Sequence, residues 1–451
     1  MTPNRSLDLS LQLQNLIRTD LLQQFSTDFP FEIFETDVNT KTSKKRDRVF
    51  NDSNTLLTML VTAVNEDKSL KQSVNLFKQI FEMRGEQMMQ KEKEFLETKR
   101  LMDLAIDNKM GRPSLYQSQL PKSKIQPVSD NTAAYTKARQ RIDYSLVMKL
   151  FDYSKDFTGI KQPHWHGMTT YCSDGTYCQM QDSPELRKKY YIKEGDDAYP
   201  QLLLEGIVQQ GTGQIVSFEI GTRHQFELEL ISKQLDKLPK NSLLLADDLY
   251  NSFAIFAIAQ RQECHLIVPG KRVRSYTVKE KISDGDEIVE LIKKETPKWW
   301  DKDWKLPKTL LMRRIAFLSP VDGETEWVQY TTLLDKTISK ADIIAKYMSR
   351  WDIEITIREI KTLMDINVIR SKSEDMVLKE ITTALAAYNM MRQIIAKSVE
   401  KTDLSPQENI IQEFFEVNKT ILIDKKGRLY SKWSPGRYGQ TTQSDQKANS
   451  A

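Results

Sequence analysis

A stretch that begins at Tyr347 carries a phenol, a guanidinium, a carboxylate and an amine in regular order. Its sequence is YMSRWDIEITIREIK. On a helix that turns about 100° per residue, these four side chains project within an arc of about 60°, beside a stripe of apolar residues. The four residues are Tyr347, Arg350, Glu354 and Lys361. Spacing alone favours an ordinary amphipathic helix with surface ion pairs, so a functional interpretation requires acidic partners elsewhere in the chain.

Two aspartates at predicted strand ends are the candidate partners. Asp174 lies in YCSDGTYCQMQDSP, where a strand is expected to end in a glycine turn. Asp247 follows the short apolar strand LLLA, after which the chain is expected to enter a helix. A strand that ends in this way presents its carboxylate at the edge of a sheet. Each aspartate alone also fits a turn residue or a helix cap.

Three carboxylates at one site have a specific chemical use. Cleavage of a phosphodiester needs an activated nucleophile and stabilisation of the leaving oxygen, and two magnesium ions roughly 4 Å apart provide both. Magnesium prefers hard oxygen ligands, and carboxylates brought together without it repel one another. On the same helix Arg350 is suited to bidentate phosphate binding, Lys361 supplies a point charge, and Tyr347 can donate a hydrogen bond.

The surrounding sequence predicts a change of structure along the chain. Helical patterns dominate residues 1–150, whereas short apolar strands alternate with helices from Thr169 to Val268. This alternation is typical of an α/β core. Residues 269–325 interrupt it with dense charge and a cluster of three tryptophans. We interpret them as a β-rich insertion.

Beyond the insertion the sequence predicts a strand over 326–334 and two long helices, over 339–364 and 375–397. The strand and the helices supply the second part of the core. The predicted division is an all-helical N-terminal domain over 1–150, a core over 151–268 and 326–400, the insertion over 269–325, and a C-terminal segment with a polar tail over 401–451.

Composition limits the class of protein without identifying it. The 451 residues suggest two or three domains, and 66 basic against 62 acidic residues leave a net charge of +4. No apolar run reaches the length of about 18 residues that a membrane span requires. The first residues do not resemble a signal peptide, and the three cysteines form no CxxC pair, so we expect a reducing, cytoplasmic setting. No phosphate loop ending in GK[ST] is present, so we expect no use of ATP.

The motifs resemble those of a known family, the bacterial insertion-sequence DDE transposases of the YREK group (IS4 family). Tyr347-x2-Arg350-x3-Glu354-x6-Lys361 matches the signature of that group. Four further segments resemble the family in the same order along the chain. They are NTAAYTKARQRI from Asn131, DGTYCQMQDSPE from Asp174, LLLADDLYNSF from Leu243 and WVQYTTLLD from Trp327. The resemblance runs from about Asn54 to Lys397.

The resemblance implies a ribonuclease-H-like catalytic core with a β insertion between the second aspartate and the glutamate. It implies that Asp174, Asp247 and Glu354 are catalytic and bind two magnesium ions, for which manganese can substitute. In similar enzymes the signature residues Tyr347, Arg350 and Lys361 hold phosphates near the transposon end. The residue at Trp327 stacks on a flipped base in similar enzymes, although simple packing in a strand fits this position equally.

The same resemblance implies a function and partners. The protein would bind double-stranded DNA at terminal inverted repeats through its N-terminal helices and pair two ends as a homodimer. It would cut the DNA and join the freed 3′-hydroxyls to target DNA, in the bacterial cytoplasm at the nucleoid. A nuclease that cuts without joining and an inactive DNA-binding relic are the alternatives.

Several residues stay open at this point. Asp248 stands where the family often has a basic or small residue, and it is an alternative metal ligand to Asp247. Lys271 and Arg272 follow a core strand, which fits either contact with DNA phosphates or a solvated loop. The histidines of the PHWHG segment have no further ligands at metal-binding spacing, so we expect a loop there.

Overall fold

A ten-stranded sheet runs through the molecule. The computed structural model describes residues 29–34, 48–64, 68–107, 128–160, 162–190, 198–270, 275–319, 323–351, 357, 360–361 and 364–400. The strands are β1 (His164–Trp165), β2 (Met168–Gln179), β3 (Gln201–Gln209), β4 (Ile215–Thr222), β5 (Ser242–Leu245), β6 (His265–Pro269), β7 (Tyr276–Ser283), β8 (Asp286–Ile292), β9 (Thr309–Leu318) and β10 (Glu326–Thr331). Apart from β1, which pairs with β2, they follow the order β4-β3-β2-β5-β6-β10-β9-β8-β7.

The sheet combines antiparallel and parallel pairing. Strands β4, β3 and β2 are antiparallel neighbours, whereas β5 and β6 follow parallel to β2. Strand β10 then runs antiparallel to β6 and joins β9, β8 and β7 to the same sheet. Together with the helices, this confirms the predicted mixed α/β class. The region predicted as a β-rich insertion contributes β7 to β9.

Helices cover both faces of the sheet. They are α1 (Phe31–Phe34), α2 (Asp52–Val64), α3 (Leu70–Asp107), α4 (Ala133–Arg141), α5 (Tyr144–Ser154), α6 (Pro184–Lys189), α7 (Glu227–Leu235), α8 (Phe253–Gln262), α9 (Lys340–Met348) and α10 (Glu374–Glu400). Two 3₁₀ turns, Asp248–Tyr250 and Ser349–Trp351, complete the regular structure of the described residues. No helix among these residues is long and apolar enough to cross a membrane.

Alternating side chains of the central strands pack into two apolar cores, one on each face of the sheet. Leu243 and Leu245 of β5 belong to the core that holds residues of α2, α5 and α10, whereas Leu244 belongs to the core under α7 and α8. This is the two-residue periodicity of a strand buried on both faces. We name the first the α10 face of the sheet and the second the α7 face.

The N-terminal helices do not pack only among themselves. Among the described residues before His164 every regular element is a helix. Yet α10, at the other end of the described chain, contacts both α2 and α5. Its Asn389 holds β4 through two hydrogen bonds to the backbone of Ile215, at 2.8 and 2.9 Å. The first and last helices therefore form one layer over the α10 face.

Two predicted element ends were wrong. Asp174 does not end a strand, because β2 continues to Gln179 in register with β3, and Gly175 lies within the strand opposite Glu205. The helix predicted over 339–364 is also not continuous, because α9 ends at Met348 and a 3₁₀ turn follows. At this turn the Ser349 hydroxyl donates to the Lys346 carbonyl at 2.6 Å. A serine that bonds the preceding turn of its own backbone favours such a deviation.

A buried ion pair joins the added strands to the loop before α9. The Arg313 guanidinium in β9 donates from Nε and Nη2 to the carboxylate of Asp286 in β8, at 2.8 and 2.7 Å. Its Nη1 donates to the carbonyls of Asp335 and Ile338, both at 2.9 Å. The two charged side chains are only 1% and 2% exposed. Arg313 therefore fixes the loop from which the helix carrying Tyr347 starts.

Replacing Arg313 by methionine is expected to lower the free energy of unfolding by about 3–5 kcal/mol, because Asp286 keeps a buried and unpaired charge. The matched control is the neighbouring Arg314→Met, whose pair with Glu287 spans 3.6 Å at side-chain exposures of 16% and 20%. That change should cost about 1 kcal/mol or less. Urea unfolding of both variants checks this, and equal losses would contradict it.

Candidate active site

Asp174 and Asp247 lie close to the end of one parallel strand pair. The pairing of β2 with β5 ends at Cys172 and Leu245; Asp174 lies two residues further along β2, and Asp247 lies two residues beyond the end of β5. Adjacent strands are about 4.8 Å apart, so the two aspartates lie beside each other where β5 ends. The structure thus brings together two of the three carboxylates that the sequence singled out.

Local backbone bonds orient these carboxylates. Asp247 begins the 3₁₀ turn from an extended conformation (φ −81°, ψ −176°), and its Oδ1 accepts from the Leu249 amide at 2.8 Å. Asp174 Oδ1 accepts from the amide of Gly175 at 2.9 Å. The predicted change from strand LLLA to a helical turn at Asp247 agrees with this arrangement.

A buried glutamate lies behind the two aspartates. Oε1 of Glu205 in β3 accepts hydrogen bonds from the hydroxyls of Ser173 at 2.6 Å and Tyr250 at 2.7 Å. Burial raises the pKa of Glu205 to about 8, although the two hydrogen bonds oppose the shift. Because Oε1 already accepts two hydrogen bonds, the proton of the neutral acid belongs on Oε2. Glu205 is therefore an uncharged carboxyl at neutral pH.

A second glutamate, Glu227 at the start of α7, adds to the negative charge. Burial raises the pKa of Glu227 to about 6, and the charges of Asp174 and then Asp247 raise it further. Like charges in close range oppose each other's ionisation, so this shift marks Glu227 as a neighbour of both aspartates.

Tyr347, at the end of α9, and Arg350, in the turn that follows it, lie near the acids that follow β5. The Arg350 guanidinium carbon lies 5.9 Å from the centre of the Tyr347 ring. Burial raises the pKa of Tyr347 to about 12. Arg350 opposes this rise by its charge and by a hydrogen bond, whereas Asp247 and Asp248 add to it. The phenol thus lies between a guanidinium and the carboxylates after β5.

Lys361 lies over β2 on the α10 face. Burial raises the pKa of the Cys178 thiol to about 12, and the positive charge of Lys361 opposes that rise. Nearby, Asp174 lines a small cavity of about 30 Å³ together with Ile357 and Ile360. Ile357 and Ile360, which precede Lys361, therefore pack over the strand that carries Asp174. Tyr347 lies near Asp247 and contacts Arg350, whereas Lys361 lies near Cys178, four residues beyond Asp174 in β2.

The β3–β4 hairpin holds the end of α9 in place. Gln210 Nε2 donates to both the carbonyl and the hydroxyl oxygen of Ser349, each at 2.9 Å. Lys346 Nζ donates to Gln210 Oε1 at 2.6 Å. These contacts fix the turn that follows Tyr347 against the strands that carry the acids.

Of the other residues singled out from the sequence, some make ordinary packing or charge contacts and some lie outside the described residues. Trp327 of β10 is half-buried and packs edge-on against Phe317, with ring centres 6.2 Å apart. His166 lies 3.7 Å from Asp342. Within the described ranges no group of three or more His, Cys, Asp or Glu side chains is arranged to hold a metal ion. The remaining predicted site residues, Glu354, Lys271 and Arg272, lie outside the described residues.

The catalytic-domain model described as "Transposase DDE domain" matches residues 165–390, half of the chain. The chain belongs to the DDE transposase family. That match includes both aspartates, the insertion strands and the whole segment from Tyr347 to Lys361. The predicted DDE transposase family is thereby confirmed.

Curated relatives of this family member come from Escherichia coli (strain K12). It is 25% identical over 279 residues to Transposase InsG for insertion sequence element IS4, covering 59% of this chain and 62% of that protein. It is 27% identical over 146 residues to Putative transposase InsZ, covering 30% of this chain and 49% of that protein. The chain thus spans about three fifths and one half of these relatives.

A solved structure of a transposase is also similar over most of this DDE family member. It is titled "Cryo-EM structure of piggyBac transposase synaptic complex with hairpin DNA (SNHP)". The similarity covers 92% of this chain and 80% of that chain, at 10% identity and a TM-score of 0.36. At that score the similarity does not establish a shared fold.

Sequence reasoning missed Glu205 and Glu227 in this transposase. Glu205 interrupts the apolar strand segment LLLEGIV, and a lone acid in a strand buried on both faces is a usable signal. Glu227 has no such signal, because it follows HQF in a segment with several acids and reads as the first turn of an amphipathic helix.

The buried carboxyl of Glu205 gives a testable dependence of stability on pH. Folding raises its pKa from the ordinary 4.5 to about 8, so the folded state keeps a proton that the unfolded chain has released. Its contribution to stability is full below the unfolded pKa and is lost as the pH rises to about 8. Glu205→Gln should therefore lose less unfolding free energy between about pH 5 and 8 than the wild type.

Urea unfolding at both pH values measures this difference. Glu219→Gln is the matched control, because Glu219 is the cross-strand neighbour of Glu205 and pairs with Lys237 at 2.8 Å near the surface. It should leave the decline with pH as in the wild type. An unchanged decline in Glu205→Gln would show that this carboxyl ionises normally.

Proposed function

We propose that this DDE family member is a cut-and-paste transposase that cleaves DNA at the ends of an insertion sequence and joins the freed 3′-hydroxyls to target DNA. The observation that carries the proposal is that Asp174 of β2 and Asp247, just beyond the parallel strand β5, lie two residues past the end of the same strand pairing. Tyr347 lies near Asp247 and contacts Arg350, Lys361 lies near Cys178 of β2, and all three carry groups suited to binding phosphate. Glu354 is proposed as the third carboxylate.

The proposed core is ribonuclease-H-like and runs over 151–268 and 326–400. The order β4-β3-β2-β5-β6, three antiparallel strands followed by two parallel ones, supports it. Strands β7 to β9 are proposed as the insertion over 269–325, between Asp247 and Glu354. The helices before His164 are proposed as the domain that binds terminal inverted repeats.

The carboxylates of the site fit magnesium. Asp174 and Asp247 offer hard oxygen donors on adjacent strands, and their charges add to the raised pKa of Glu227. A divalent cation would relieve this concentration of negative charge. Asp174, Asp247 and Glu354 would hold two magnesium ions, or manganese in their place. When bound, these ions supply Lewis-acid activation of the attacking oxygen and neutralise charge on the leaving oxygen.

The protein's own groups then position the DNA. Arg350 is suited to hold a phosphate in a bidentate manner, oriented by its contact with Tyr347, and Lys361 contributes a point charge over β2. Trp327 is proposed to stack on an extruded base next to the cut, since the residue is only half-buried. Lys271 and Arg272 are proposed to contact phosphates of the double-stranded DNA.

Assembly follows from the reaction. Two ends must be held together for joining at one target site, so we propose a homodimer that pairs the two inverted repeats. Water attacks in the cleavage step and the 3′-hydroxyl in the joining step, so one set of carboxylates serves both reactions. Energy from ATP is not required, because cleavage is a hydrolysis and joining replaces one phosphodiester bond by another. This chemistry would take place on DNA in the bacterial cytoplasm, at the nucleoid.

Asparagine substitutions test whether Asp247 or Asp248, the two acids that follow β5, is the metal ligand. Asp174→Asn and Asp247→Asn should lower DNA cleavage by on the order of 10³-fold or more, because each removes a proposed metal ligand. Glu354→Gln should do the same. Asp248→Asn is the matched control and should stay within about tenfold of the wild type. The assay is magnesium-dependent cleavage of a duplex that carries the inverted repeats flanking the gene. An inactive Asp248 variant with an active Asp247 variant would reverse the assignment.

Strand joining distinguishes a transposase from a nuclease. Pre-cut inverted-repeat ends incubated with the protein, magnesium and a supercoiled plasmid should produce insertions, because the 3′-hydroxyl replaces water at the same site. Sequencing across the new junctions measures them, and Asp174→Asn should abolish them. Cleavage of uncut ends without insertions would support a nuclease that does not join. Stable end binding without cleavage under magnesium or manganese would support a DNA-binding relic.

A further inference from the structure

A cavity of about 270 Å³ lies where the N-terminal helices meet the last helix of the described chain. Its walls come from α2, the first residue of α3, α4, α10 and the loop before α10. Of the described residues that line it, three are cationic, Lys68, Arg139 and Arg370, whereas one, Glu380, is acidic. The cavity holds the volume of several water molecules, so it has room for a small charged group.

The acids at this cavity hold the loop before α10. Glu380 accepts hydrogen bonds from the backbone amides of Arg370 at 3.0 Å and Ser371 at 2.9 Å. Asp365, close by, pairs with Nη2 of Arg370 at 3.1 Å. Since both carboxylates are engaged in the loop, the three cations are not fully balanced, and the described surroundings of the cavity carry net positive charge.

Arg139, in the last turn of α4, brings a donor that is not used. Its Nε is buried and makes no hydrogen bond within the described part of the chain, and its guanidinium carbon lies 5.9 Å from the centre of the Tyr135 ring. Lys379 of α10 fixes this end of α4 by donating to the carbonyls of Arg139 and Gln140, at 3.4 and 3.3 Å. Buried polar atoms without a partner are rare and often indicate an absent water or ion.

Lys68 places a second cation at the cavity. Its Nζ donates to the carbonyl oxygen of Met364, three residues after Lys361. Burial lowers the pKa of Lys68 to about 8, although the charges of Asp365 and Glu380 oppose the shift. An anion in the cavity would stabilise the charged amine.

The loop before α10 also connects the cavity to the strand that carries Asp174. Gln179, the last residue of β2, donates from its amide to the Asn367 carbonyl at 2.8 Å and accepts from the Ile369 amide at 2.7 Å. Gln179 lies five residues beyond Asp174, which is about 17 Å along a strand. Base pairs of a duplex are about 3.4 Å apart, so this length corresponds to about five base-pair steps.

We infer that this cavity is a phosphate-binding site, which takes one backbone phosphate of the transposon-end DNA several base pairs from the cleaved bond. Arg139 is its main donor, and Lys68 and Arg370 add positive charge. A guanidinium binds a phosphate through two parallel hydrogen bonds, which gives both strength and orientation. A phosphate held here would join the N-terminal helices to the core. This inference rests on the proposed function, since it assumes that a DNA end lies along β2.

The test measures binding of the full-length protein to a duplex that carries the inverted repeat, by fluorescence anisotropy without divalent metal. Arg139→Gln should weaken binding by about tenfold and lower the slope of log affinity against log salt concentration by about 1, because one phosphate contact is lost. Lys137→Gln is the matched control, since Lys137 is an exposed cation of the same helix outside the cavity. It should bind nearly as the wild type does. Equal losses in the two variants would overturn the inference.

Neutral methylphosphonate linkages, placed one at a time along the duplex, identify the phosphate itself. At one position the linkage should weaken binding of the wild type but leave Arg139→Gln almost unaffected, because both changes remove the same contact. Equal effects on both proteins at every position would contradict the inference. A free phosphate offers the same chemistry, so calorimetry with inorganic phosphate alone is the second arm. Saturable phosphate binding that Arg139→Gln abolishes, with no position-specific effect on the duplex, would overturn the assignment to DNA.

A further variant blocks the cavity without changing its charge. Ala63→Phe adds a ring to the α2 wall and should weaken duplex binding in the same direction. Far-UV circular dichroism and the unfolding temperature show whether each variant is folded, and if Arg139→Gln does not fold, the exposed Arg370→Gln decides the question. A wild type that binds the inverted repeat no better than a scrambled duplex would contradict the proposed function. Selective binding that folded cavity variants retain would overturn the inference alone.

Discussion

Oxygen Oε1 of Glu205 accepts hydrogen bonds from both segments that carry the candidate catalytic aspartates. One comes from Ser173, directly before Asp174, and the other from Tyr250, three residues after Asp247. The relative position of two separate strands thus depends on one carboxyl in a third. Its burial disfavours the charged form, and a neutral acid avoids placing a further negative charge beside the aspartates. Tyr250, the aromatic residue three positions after Asp247, has a structural role here, because its hydroxyl donates a hydrogen bond to the Glu205 carboxyl.

More distant interactions position the groups that surround these acids. Arg313 ties β8 and β9 to the loop before α9 through a buried, hydrogen-bonded ion pair. At the other end of α9, Gln210 on the β3–β4 hairpin binds Ser349 and Lys346. Tyr347 lies close to the second of these contacts. Strands β8 and β9 and the β3–β4 hairpin therefore act together on one helix.

The sequence predicted the parts of the site that local patterns specify. The apolar run before Asp247 gives a buried strand, and the strand then ends at a side chain that caps a turn. The position of Asp174 within a strand was harder to predict from the sequence, because a glycine after an acid is typical of a turn. In the structure β3 continues to pair with β2 beyond Gly175. The end of α9 depends both on the local hydrogen bond of Ser349 and on Gln210, more than a hundred residues earlier, so the local signal alone could not place it. Glu227 reaches β2 at Gly175, a proximity that exists only in three dimensions.

The charges around the site bear on the choice between Asp247 and Asp248. Both raise the pKa of Tyr347, so both lie near the end of α9. Asp247 also raises the pKa of Glu227. Asp247 lies two residues beyond the end of the pairing of β5 with β2, as Asp174 does on β2. Asp248 already belongs to the 3₁₀ turn, where the backbone no longer follows the alternation of β5. A cation held between the strands would contact Asp247. Asp248 would act on the cation only through longer-range charge, and at its half-buried position solvent weakens that effect.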